Sequence, residues 1–308
     1  MAREIKNVAA SVQARLRNVA RETGTDFQIL LSRYVLERLL YRLSVSSHRD
    51  RFILKGALLL PLWLDDPFRP TRDLDLLGFG DSRPAELADV FRDIMSVEVL
   101  DDGVVFDTGR IQAAAIRDQA DYDGVRVRTE ARIGNARIPV QVDVGFGDAV
   151  VPPATEVEYP VLLGAPAPRI HVYPRETVVA EKFEAIVSLG GDNSRMKDFY
   201  DLWAMSEQFG FDGAALAESI RATFARRGTD IPNDVPSGLR EEFASSPEKE
   251  AQWRAFTQRG RLGAQSGTFP EVISRLRNFL MPVVHVVAKA QNPGAVWDPG
   301  GPWRTRSD

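Results

Sequence analysis

At 308 residues the chain is long enough for one large core or two ordinary domains, and 44% hydrophobic with 27% charged residues is a globular composition. A net charge of −4 excludes a polycation, so any contact with nucleic acid must come from a local basic patch. The absence of cysteine excludes disulfides, thiolate metal sites and cysteine nucleophiles and fits a reducing cytoplasm, and three histidines are too few for a His-rich zinc site.

The first eighteen residues are charged throughout and carry no apolar leader, and no apolar run reaches the roughly 18 residues of a membrane span. Residues 5–45 predict two helices. The second is capped by Thr25 or Asp26, and its apolar stripe runs through Phe27, Leu30, Leu31, Tyr34, Val35, Leu39 and Leu40. Arg33, Glu37, Arg38 and Arg42 fall mostly off that stripe, as a solvated face or a contact for an anionic partner. Residues 52–60 read as a strand turning into a helix. A Pro- and Asp-rich break at 65–70 follows, then the Asp-x-Asp stretch, then a helix over 85–95. Residues 97–146 read as a β meander with strands at 97–100, 103–106, 112–117, 124–133 and 137–144. The strand from Val125 to Ile133 alternates strictly and puts Arg126, Arg128, Glu130 and Arg132 on one face, either solvated or a nucleic-acid surface. The Pro-rich stretch 151–174 reads as the connection between two halves. Helices follow at 176–189, 196–209, 213–226, 238–258 and 270–289, and a tail from 291 reads as disordered.

Asp73 and Asp75 lie two apart on a predicted strand, so both carboxylates share one face. Two like charges that close need an opposing charge, and Mg²⁺ takes carboxylate and phosphate oxygens. An Asp-x-Asp pair alone also occurs in surface turns; this one opens an apolar strand. Asp143 alternates out of the apolar face of Ile138, Val140, Val142 and Val144. Should that strand lie beside the Asp-x-Asp strand, three carboxylates converge as in two-metal phosphoryl or nucleotidyl transfer; otherwise Asp143 is a strand-edge residue on a solvated face. Lys182 falls on or beside a helical apolar stripe, where it either snorkels or points into a polar pocket. Asp198 flanks the stripe of the next helix, where it also suits the helix dipole. The P-loop, the dinucleotide glycine fingerprint, the nucleophile elbow and the zinc-protease helix are all absent.

Three segments together resemble one family: Phe52-Ile53-Leu54-Lys55-Gly56-Ala57, then Arg69-Pro70-Thr71-Arg72-Asp73-Leu74-Asp75-Leu76, then Glu181-Lys182-Phe183-Glu184-Ala185 with Lys197-Asp198-Phe199-Tyr200-Asp201-Leu202-Trp203. Over roughly residues 25–210 the chain is similar to the AbiEii/AbiGii nucleotidyltransferase toxins, which include the MenT toxins. That resemblance implies an α/β (α+β) fold, with a polymerase-β-like nucleotidyltransferase domain over 1–165, a mainly helical domain over 166–290 and a tail over 291–308. It implies Mg²⁺, a nucleoside triphosphate donor, transfer to RNA at the tRNA acceptor end, a cognate antitoxin as partner, and a monomeric toxin that blocks translation in the cytoplasm. By the same resemblance Asp73 and Asp75 hold the metal; Asp143, chosen from its strand alternation, completes the acidic set as a third metal ligand and a base toward the acceptor hydroxyl. Lys55, Gly56, Thr71 and Lys182 bind nucleotide, Lys182 and Asp198 complete the catalytic set, and Thr71 matches a position phosphorylated in some toxin–antitoxin pairs. Gly56 is followed by Ala57 and Leu58, where the wider superfamily places a Ser or Thr. Rival readings are transfer to a small molecule or a protein, and a non-catalytic interaction protein.

Overall fold

The computed structural model describes residues 7–64, 71–116, 124–260, 262, 267–289 and 294–305. The break at 65–70, residues 5 and 6 of the first predicted helix, residue 117 of a predicted strand, and tail residues 291–293 and 306–308 lie outside the described residues. The chain divides into two compact units, the first drawn from residues up to 64, 71–147 and 155–172, the second from 148–154 and from 173 onward. The division thus falls near 172 rather than 165, and a short strap, 148–154, belongs to the second unit.

The first unit comprises helices α1 (Val8–Thr23), α2 (Phe27–Val45), α3 (Leu60–Trp63) and α4 (Pro84–Ser96). Its strands are β1 (Phe52–Lys55), β2 (Asp73–Gly78), β3 (Val105–Phe106), β4 (Gln112–Ile116), β5 (Gly124–Ile133), β6 (Ala136–Phe146), β7 (Thr155–Glu158) and β8 (Arg169–Val172). They form one mixed sheet ordered β3-β5-β6-β2-β1-β8-β7, with β4 also paired to β5. The β5–β6 hairpin closes on Gly134-Asn135, with Gly134 at φ +57°, the positive φ a two-residue turn requires. One sheet face presents Leu54, Leu74, Leu76, Val125, Val127, Val140, Val142 and Val144, all buried, and α2 and α4 pack against β6 and β5. Full burial of each such side chain contributes about 1.5–3 kcal/mol.

Helix α2 starts where expected, with Asp26 accepting from the backbone N–H of Gln28 and Ile29. Its charged residues do not form a solvated face: Glu37, Arg38 and Arg42 are buried. Arg42 grips Asp102 with two bonds of 2.7 and 3.2 Å, Arg38 donates to the carbonyl of Pro166, and Glu37 accepts from Arg33 and from the N–H of Leu162. The Pro-rich stretch, whose backbone has few ladder partners of its own, is thus held by side chains of α2, and two strands, β7 and β8, lie within it. Residues 97–100 form no strand. Asp101 and Asp102 accept from the N–H groups of Gly103 and Val104, an Asx-turn geometry that competes with pairing, so only Val105–Phe106 joins the sheet.

Burial pushes the Glu37 carboxyl up from 4.5 to about 7, against the N–H of Leu162 and the guanidinium of Arg33, which lower it. A carboxyl raised on folding binds protons more tightly in the native state. Stability is therefore expected to fall as pH rises from 4.5 through 7, by roughly 3 kcal/mol in all. Urea unfolding at pH 5.5 and 8 measures this. Glu37→Gln should flatten the slope; an unchanged slope in that variant assigns it to other groups.

The second unit comprises α5 (Arg175–Leu189), α6 (Met196–Gln208), β9 (Phe211–Asp212), α7 (Gly213–Arg227), α8 (Glu241–Ala244), α9 (Pro247–Gly260), α10 (Phe269–Ala288), β10 (Ala295–Trp297) and β11 (Trp303–Thr305). The single helix expected over 238–258 is broken at Ser245-Ser246, and Pro247 opens α9. Part of the supposed tail is ordered: β10 pairs with β9 and β11, Trp297 is fully buried against Phe279, and its indole N–H donates to the carbonyl of Ser206. The strap is tied by Thr177 and Ser219, whose hydroxyls donate to the carbonyl of Val151.

Candidate active site

Strand registry assembles the acidic residues of the first unit. Strands β2 and β6 run parallel, with Asp73 opposite Gln141 and Asp75 opposite Asp143. Strand β1 lies antiparallel on the other side of β2, with Lys55 opposite Asp75, and β5 lies antiparallel to β6, with Arg126 opposite Asp143 and Arg128 opposite Gln141. Residues in register share a face, so Lys55, Asp75, Asp143 and Arg126 form one transverse row at strand spacings of about 4.8 Å. Asp73, Gln141 and Arg128 form the next. This face lies opposite the apolar one, and all these residues except the exposed Arg128 are partly buried.

Gly56 follows Lys55 and turns the chain at φ +73°, where a Cβ would lie 2.1 Å from Asp75 Oδ2. Its lack of a side chain is therefore the space that the Asp75 carboxylate occupies. The next residue, Ala57, is buried with Leu58 and Leu59 in a 3₁₀ turn, so the position at which the superfamily has a hydroxyl here faces the core. Thr71 Oγ1 accepts from the N–H of Asp73 at 3.4 Å, a local turn at the entry to β2.

Asp143 is not open in the way the sequence suggests. Arg126 Nε and Nη2 each reach one of its carboxylate oxygens at 2.7 Å, and Gln141 Nε2 lies 3.4 Å from Oδ2. Arg128 donates to Gln141 Oε1 at 3.1 Å. Of the two arginines offered as a nucleic-acid surface, Arg126 is thus committed to an aspartate. Among the described residues no three His, Cys, Asp or Glu side chains are grouped closely enough to hold a metal ion unaided. The donor set still fits Mg²⁺, which commonly takes one or two carboxylates and completes its shell with phosphate oxygens and water; Asp73 and Asp75 are the two carboxylates that would be offered to it.

In the second unit, Lys182 on α5 points into a polar pocket rather than snorkelling. Its Nζ lies 2.8 Å from Asp198 Oδ1 and 2.7 Å from Asp201 Oδ2, both on α6, and both aspartate side chains are 1% exposed. Arg195 Nε adds an ion pair to Asp198 Oδ2 at 2.7 Å. Burial pushes the Asp198 carboxyl up, but the Lys182 ammonium and the Arg195 guanidinium outweigh it and hold the group below the usual carboxylate range. Asp201 was overlooked as a site residue in the sequence. Its signal was there, because it lies three after Asp198 and so on the same helical face.

The family model of the AbiEii nucleotidyl transferase toxin of type IV toxin–antitoxin systems matches residues 38–275. No curated protein sequence matches the chain. Two solved structures from Helicobacter pylori are similar at 14% identity. JHP933 has a TM-score of 0.49 over 85% of this chain and 94% of that one. A protein provisionally named a nucleotidyltransferase has a TM-score of 0.50 over 87% of this chain and 100% of that one, and shares the fold. With its family model covering well over half its length, the chain belongs to the AbiEii nucleotidyltransferase toxins of type IV toxin–antitoxin systems.

Proposed function

We propose that the protein is a Mg²⁺-dependent nucleotidyltransferase that moves nucleotides from a nucleoside triphosphate to RNA, at the acceptor end of tRNA, and so blocks translation until a cognate antitoxin restrains it. The observation that carries the reading is the placement of Asp73 and Asp75 on one sheet face, with Gly56 leaving room for the Asp75 carboxylate. When bound, the ion would neutralise phosphate charge and lower the barrier to attack by the acceptor hydroxyl. The chain's own residues do the rest. Asp73 and Asp75 hold the ion, Lys55 offsets charge beside Asp75, and Thr71 braces the start of β2. Lys182 brings a cation for the triphosphate and Asp198 fixes its position. The exposed Arg128, on the face that carries the carboxylates, suits a polyanionic acceptor.

The test is incubation with each labelled triphosphate, Mg²⁺ and total tRNA. Label is expected in tRNA, and Asp73→Asn or Asp75→Asn should lower transfer at least about 100-fold. Label in an aminoglycoside or in protein, and none in RNA, would replace the acceptor. Full transfer by both variants would remove the carboxylates from the chemistry.

A further inference from the structure

Two-ion transfer needs a third carboxylate, and β6 brings Asp143 beside Asp75 in register. Yet the row is built as cation, anion, anion, cation, with Lys55 against Asp75 and Arg126 against Asp143. The Arg126 guanidinium meets Asp143 in a planar fork, both bonds at 2.7 Å, so both carboxylate oxygens are engaged. The pair is set by two long strands, Gly124–Ile133 and Ala136–Phe146, rather than by loops. It is partly shielded from water, with side-chain exposures of 34% for Arg126 and 18% for Asp143. Moving Asp143 onto a metal would break the two charge-assisted bonds of this fork.

We propose that Arg126 is a positioning residue that serves as the fixed counter-cation of Asp143, so that Asp73 and Asp75 alone carry the divalent ion and a guanidinium, in place of a second ion, neutralises Asp143. The proposal rests on the metal-dependent reading above and narrows it: one ion per chain, with Asp143 outside its coordination shell. Asp143 keeps Arg126 on the sheet face beside the ion site, and Gln141 steadies the carboxylate from the same strand.

The test is Mn²⁺ binding followed by electron paramagnetic resonance, with and without a non-hydrolysable nucleoside triphosphate. Wild-type protein should bind one Mn²⁺ per chain. Asp75→Asn should weaken binding at least tenfold and Asp143→Asn less than threefold, whereas Arg126→Gln, which releases Asp143, should tighten binding or admit a second ion. Weakening by Asp143→Asn equal to that by Asp75→Asn overturns this proposal and leaves the metal-dependent reading intact. Absence of Mn²⁺ binding in the wild type overturns both. If a single variant does not fold, Arg126→Met combined with Asp143→Leu removes both charges together. Unchanged one-ion binding in that variant supports the proposal, and a loss overturns it.

Discussion

Replacing Lys182 by Met is expected to lower stability by about 3–5 kcal/mol, the usual cost of taking one partner from a buried ion pair. The substitution nearly conserves volume but removes the ammonium that two carboxylates share. Both Asp198 and Asp201 are 1% exposed, and Arg195, which also pairs with Asp198, is about half exposed and shields it weakly. Urea unfolding of the variant measures the loss. Adding Asp201→Asn to Lys182→Met should recover part of the stability, because it removes one of the stranded charges. If Lys182→Met unfolds at the wild-type urea midpoint, the lysine is no keystone of the α5–α6 pairing, and its role is confined to substrate. Loss of transfer in this variant must therefore be read beside its stability, whereas Asp75→Asn tests the chemistry more directly.

Gly56→Ala is expected to cost about 1–2 kcal/mol from its left-handed backbone alone, and to cut transfer by about 100-fold. The larger effect follows from geometry. A methyl group 2.1 Å from Asp75 Oδ2 must drive the carboxylate off its place in the row, and a displacement on the order of 1 Å at a reacting centre costs that much. Transfer rate and Mn²⁺ affinity should fall together. Activity within threefold of wild type would mean that Asp75 can relocate without consequence, and that the glycine answers only to the turn.

Much of the site was legible because strand period and helix period are local properties. Asp73 and Asp75 share a face by spacing alone, and Asp143 alternates out of a valine ladder. What spacing could not give was registry between strands 65 or more residues apart. The partner of Asp143 is a different case: Arg126 lies only 17 residues away across the β5–β6 hairpin, and its pairing follows once the Gly134-Asn135 turn fixes the register. The error on α2 has another cause. An apolar stripe implies one wet face only where a helix packs on a single side, whereas a helix surrounded by sheet, loop and neighbouring helices can bury charges provided each finds a partner, as Glu37, Arg38 and Arg42 do. The ordering of residues 295–305 escaped for a related reason: glycines and prolines suggested a loose end, but Trp297 and Trp303 had a hydrophobic destination on α10.

Strand β1 shows what chain order means for this toxin. Its antiparallel partner β2 is made soon after it, but its other edge is covered by β8, where Leu54 lies opposite Val172. The strand that carries Lys55, and the turn at Gly56, thus stay open along one edge until more than a hundred further residues have been synthesised. A chain interrupted before 169 leaves that edge unpaired, a template for pairing with other chains rather than a finished sheet. Premature termination is therefore expected to yield aggregates rather than active fragments, so that the order of synthesis itself delays the appearance of an active toxin.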